Sequence, residues 1–88
     1  MSLPATGLDV RYFAWLRERI GVPSERVETG AATVADLVAE LRTREARYDL
    51  ALSDLSAVRV AVDQQLADLD TPLAGVREVA FFPPMTGG

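Results

Sequence analysis

Cysteine, histidine and lysine are all missing from this chain of 88 residues. Without cysteine there is no disulfide frame and no thiolate metal site. Without histidine the commonest metal ligand and general base is also missing. A nucleophilic serine would have neither imidazole nor amine beside it to take its proton. What remains for chemistry is carboxylates, hydroxyls, guanidinium groups and the two chain ends, which argues against a metal site and against an enzyme that works alone. The lack of lysine also closes off a polymer of copies linked through lysine isopeptides.

Long apolar runs are absent too. None approaches the roughly 18 residues of a membrane span, and no charged-then-apolar leader opens the chain, so a cytoplasmic protein without a membrane partner is the expectation. Nine arginines against thirteen acids leave a net charge of −4. With the acids scattered along the chain, nucleic acid is not the expected partner. The apolar share of 49% and charged share of 25% are ordinary globular usage. A chain this short makes one domain that buries only about 60% of its unfolded surface. The expected division is an N-terminal extension over 1–7, a folded domain over 8–82 and a flexible tail over 83–88.

What is present is most distinctive at the end. Phe81 and Phe82 close an apolar run that reads as a strand, and Pro83 and Pro84 then remove two backbone donors and fix φ, so no ladder can continue. Met85, Thr86, Gly87 and Gly88 carry little side chain to pack down. They leave the terminal carboxylate on a slim arm that could enter a narrow channel in another protein.

Earlier in the chain, Leu8, Val10 and Tyr12 alternate with Asp9, Arg11 and Phe13, predicting a strand over about 8–13. The period then lengthens. Phe13, Leu16 and Ile20 fall at helical spacing, with Gly21 at the C′ position and Pro23 beyond it, predicting a short helix. Trp15 lies off that stripe, as a half-buried packing residue or a partner contact. Residues 24–29 hold only Val27 as an apolar residue among charges, the pattern of an edge strand. Thr33 and Asp36 form a capping-box-like start for a long helix whose stripe is Val34, Leu37, Val38, Leu41, Glu45 and Tyr48. Arg42, Arg44 and Arg47 complement its dipole. The connection over 49–57 has room for an extra helical turn. Val58, Val60 and Val62 alternate as a strand, Asp63-Gln64-Gln65 turns into a short strand over 66–69, and 76–82 is the last strand. One amphipathic helix must cover one face of a mixed sheet, giving an α+β roll.

Tyr12-Phe13-Ala14 followed by Leu16-Arg17-Glu18 and Gly21, Thr33-Val34-Ala35-Asp36-Leu37, Val60-Ala61-Val62-Asp63, Asp70-Thr71-Pro72-Leu73, and Glu78-Val79-Ala80-Phe81-Phe82-Pro83-Pro84 before Gly87-Gly88 together carry a resemblance. The chain is similar to the ubiquitin-like β-grasp sulfur-carrier proteins, and within them to the small subunits of molybdopterin synthases. The Phe-Phe-Pro-Pro-x-x-Gly-Gly ending is the specific signal. The resemblance implies a β-grasp roll with a mixed sheet of about five strands, one long helix and one short helix. It also implies a role for Gly88, with Gly87 behind it. The resemblance implies no bound cofactor. It implies that a ubiquitin-activating-type adenylyltransferase uses ATP to adenylate the terminal carboxylate, and that a sulfurtransferase supplies the sulfur that makes 1-thioglycine, a thiocarboxylate. By the same resemblance that sulfur is expected to pass to cyclic pyranopterin monophosphate, to form the molybdopterin dithiolene in molybdenum cofactor biosynthesis. The implied partner is the large catalytic subunit, in a heterotetramer, with the small subunit as its sulfur donor rather than a catalyst alone.

By the same resemblance Phe13, Arg17 and Phe82 match partner-contacting positions, continued by Pro83, Pro84, Met85 and Thr86. Core packing is an equal reading for Phe13 and Phe82. An exposed apolar patch is expected around Phe82 and Met85. Gln64-Gln65 and Val76-Arg77 depart from the family's usual turn residues. Carriers for tRNA thiolation, cysteine or thiamine synthesis, a ubiquitin-like modifier joining Gly88 to a target lysine, and an inert interaction module are the alternatives.

Overall fold

A computed structural model describes residues 6–84. The first strand, β1 (Thr6–Tyr12), takes in two residues expected to precede the fold and runs antiparallel to β2 (Ser24–Thr29). Helix α1 (Ala14–Ile20) joins them and ends on Gly21, whose φ of 98° is the left-handed conformation a glycine at that position supplies without a Cβ penalty. Later come β3 (Arg59–Val62), β4 (Gln65–Ala67) and β5 (Glu78–Phe82). The sheet order is β2-β1-β5-β3-β4. β1 and β5 are parallel at its centre, and every other neighbouring pair is antiparallel.

The expected long helix is two helices, so the described residues hold three α-helices rather than one long and one short. Helix α2 (Val34–Arg42) opens as predicted, with the Thr33 hydroxyl accepting from the Asp36 amide at 3.2 Å. It stops at Thr43, whose hydroxyl donates to the Glu40 carbonyl at 2.7 Å and competes with the helical ladder. Glu45 is then extended, with φ −153°, before α3 (Ala46–Ala51) begins. The break lets Tyr48 turn inward while Glu45 stays exposed. A 3₁₀ turn over Leu55–Ala57 supplies the extra turn for which the connection had room.

The core lies between the sheet and these helices. Leu8, Val10 and Tyr12 of β1, Val60 and Val62 of β3, and Val79 and Phe81 of β5 meet Leu16, Ile20, Val34, Leu37, Leu41 and Leu52. The alternation that sends these strand residues inward sends Phe13, Ala61, Ala80 and Phe82 outward. The β3–β4 hairpin turns on Asp63 and Gln64, at φ 48° and 69°, the paired positive values of a two-residue hairpin turn even though neither residue is glycine. The Asp63 carboxylate accepts from the Arg77 and Glu78 amides, each at 3.0 Å, and so holds the hairpin against the start of β5.

Candidate functional site

The site is built on the outer end of β5. Phe82 is its last residue, and no strand continues into Pro83 and Pro84, as two successive prolines require. β5 pairs on both sides, with β1 through Tyr12 opposite Phe81 and with β3 through Arg59 opposite Phe82. The prolines therefore leave from the middle of a braced sheet.

Beside this exit the outer face carries a shallow apolar depression, lined chiefly by Phe13, Ala14, Ala61, Ala80, Phe82 and Pro83. Phe13 is 47% exposed. Its place at helical spacing with Leu16 and Ile20 suggested a shared face, but they are buried and it is not. Alternation past Tyr12 turns its side chain outward, and the helix starts only at Ala14. Arg17 is exposed on the first turn of α1, its amide reaching the Phe13 carbonyl at 3.4 Å. Phe82, Pro83 and Pro84 are half-buried. Met85, Thr86, Gly87 and Gly88, and with them the tail and part of the expected patch, lie outside the described residues.

The structure adds residues that the sequence reading missed. Ala61 and Ala80 sit opposite each other in the β3–β5 register. Leu66, 76% exposed, pairs with Ala61 and so stands on the same face. These two small alanines lie between large apolar groups at the floor of the depression. Alternation in the sequence does put Ala80 on the face of Phe82 and Ala61 opposite to Val60 and Val62, but Leu66 lies in a strand too short to show which face it takes. Charges rim the depression. Glu78 lines one end and pairs with Arg11 at 3.4 Å across the β1–β5 seam.

Under the same strands Tyr12 and Tyr48 both donate hydroxyl hydrogens to Glu25. Burial first, and the Glu25 carboxylate second, push both phenols above the usual tyrosine range, so they remain donors in neutral solution. Among the described residues, no buried side-chain nitrogen or oxygen lacks a partner. Among the same described residues no group of three or more acids could hold a metal ion, and no helix is long and apolar enough to cross a membrane. The feature that stands out on the described surface is the apolar depression beside the end of β5.

A five-stranded mixed sheet packed on helices, with its end leaving a central strand beside an apolar face, is a ubiquitin-like β-grasp domain. The chain belongs to the ThiS family, which matches residues 10–88. It is 40% identical to the molybdopterin synthase sulfur carrier subunit of Escherichia coli (strain K12) over 81 residues, 92% of this chain and 99% of that one. With the subunit of the same name from Haemophilus influenzae it shares 37% over 81 residues, again 92% of this chain and 99% of the other. Among solved structures it is similar to SAMP1 from Haloferax volcanii, with a TM-score of 0.75 and 27% identity, covering 94% of this chain and all of that one.

Proposed function

We propose that this chain is the sulfur-carrier subunit of a molybdopterin synthase and that its own last residue, Gly88, is the group that reacts. A carboxylate is a poor electrophile. An activating enzyme would join the terminal carboxylate to AMP at the cost of ATP, and sulfur would then displace AMP to leave a thiocarboxylate. The large subunit would take up the loaded arm, where the sulfur passes to cyclic pyranopterin monophosphate; two donations complete one dithiolene. Gly87 and Gly88 keep the arm thin enough for a channel. Phe13 and Phe82, with Arg17 and with Pro83, Pro84, Met85 and Thr86, would meet the partner. Because the arm ends in an anion, the pocket that receives it should be basic.

The observation that carries this reading is the placing of an apolar depression directly beside the point where β5 ends in two prolines. It is supported by the match to molybdopterin synthase sulfur carrier subunits over nearly the whole chain. The test is intact-mass spectrometry after incubation with ATP, an adenylyltransferase of the ubiquitin-activating type and a sulfur source. One oxygen-for-sulfur exchange at Gly88 is expected, and deleting Gly88 should abolish both loading and transfer without changing the melting temperature. An isopeptide remnant on other proteins would identify a modifier instead, and an unchanged mass an inert module.

A further inference from the structure

Behind the docking face, on the core side of the same two strands, lies a polar cluster that the tail chemistry does not use. Tyr12 and Phe81 stack, with centroids 6.2 Å apart and 14° between planes, and Tyr48 meets Tyr12 edge-on at 6.4 Å. Both hydroxyls donate to the same oxygen, Glu25 Oε2, at 2.9 Å from Tyr12 and 2.7 Å from Tyr48. Arg44 Nη1 lies 3.6 Å from the other Glu25 oxygen, and the Arg44 and Arg47 guanidinium groups lie over the Tyr48 ring. One carboxylate thereby joins β1, β2 and α3.

The next two residues after Tyr12 belong to the outer face. The Phe13 amide donates to the Phe81 carbonyl at 3.1 Å. Ala14 follows at φ 53°, a left-handed conformation that its Cβ disfavours. Such a conformation persists only where its surroundings hold it. Here the holding groups are Phe13, tied to β5, and Tyr12, fixed from behind by its stack and its hydroxyl.

We propose that Tyr12, Glu25 and Tyr48 are positioning residues: a hydrogen-bonded clamp that holds the strained turn at Ala14 and the end of β5, and so presents Phe13 and Phe82 in the arrangement a partner meets. The inference rests on the docking reading above and adds to it the device that keeps the face preformed. A preformed face loses less freedom on binding, so loosening it weakens docking without touching the reacting terminus.

Two variants of the full chain test this. Tyr12→Phe removes one oxygen and touches nothing on the outer face. By amide hydrogen exchange, the Phe13 amide should exchange about tenfold faster, the scale of one hydrogen bond to a charged group. The Asp9 amide, bonded to the Arg77 carbonyl at 2.9 Å at the other end of the seam, should change by less than about twofold. Ala14→Gly relieves the strain, so its melting temperature should hold or rise. With the large subunit of a molybdopterin synthase, KM for the thiocarboxylated Tyr12→Phe chain should rise several-fold while kcat stays unchanged, a split that core destabilisation alone would not produce in a fully folded chain. Equal acceleration at Phe13 and Asp9, an unaltered KM in Tyr12→Phe, or a lowered melting temperature in Ala14→Gly would overturn the clamp. A wild-type chain that takes up no sulfur would sink the functional reading, and the exchange pattern would still decide the clamp.

Discussion

Phe81 and Phe82 are neighbours with opposite fates, and replacing each by alanine separates fold from function. Phe81 is 1% exposed, stacks on Tyr12 and belongs to the core cluster. Removing a buried phenylalanine costs about 3–5 kcal/mol, and losing the aromatic pair adds about 0.5–1.5 kcal/mol. For a domain this size the whole stability is only about 4–13 kcal/mol at roughly 0.05–0.15 kcal/mol per residue. At about 4–8 °C per kcal/mol, Phe81→Ala should melt roughly 15–50 °C below wild type, and it stands close to unfolding at room temperature. Phe82 is half-buried on the outer face, where truncation should cost no more than about 1 kcal/mol, or under about 8 °C. In the proposed docking role, however, its loss should weaken binding to the large subunit by about 2 kcal/mol, close to thirtyfold. Circular dichroism melts and calorimetric titration against the large subunit supply the two readings. A Phe82→Ala chain that melts as early as Phe81→Ala, or that binds as tightly as wild type, would refute the division of the two faces.

Thr33→Ala deletes the side-chain cap of α2 and should lower stability by about 1 kcal/mol, seen as a drop of about 4–8 °C in the melt, with binding unchanged. The raised tyrosines predict an alkaline dependence. Their folded pKa lies above the unfolded value of about 10, so their contribution is whole below that pH and is lost as pH rises beyond it, because only the unfolded chain ionises. Stability should fall by up to about 1.4 kcal/mol per pH unit for each such tyrosine, and urea melts of Tyr12→Phe should show a shallower fall than wild type.

Local chemistry was legible wherever one residue controls its own backbone. Gly21 ends α1, Thr33 starts α2, and the prolines end β5 where they were expected to, because φ restrictions and side-chain caps act within a turn. The valine alternation of β3 and the charged run of β2 also read correctly, since period two needs no partner to be visible. The failure in the long helix came where a local side-chain bond and a distant carboxylate act together. The stripe from Val34 to Tyr48 fits one helix, yet the Thr43 hydroxyl and the pull of Glu25 on Tyr48 divide it.

For the candidate site, the sequence alone determined the slim ending and its stop signal, because proline fixes φ and lacks a donor, and glycine carries no side chain, whatever surrounds them. Only the tertiary structure decided which surface that ending leaves from. Phe13, Ala61, Leu66, Ala80 and Phe82 are spread over four segments, and they form one face because strand register places them side by side. Register is settled by the burial of Val10, Val60, Val79 and Phe81 on the other side of the sheet, a choice made by the whole core rather than by any short stretch.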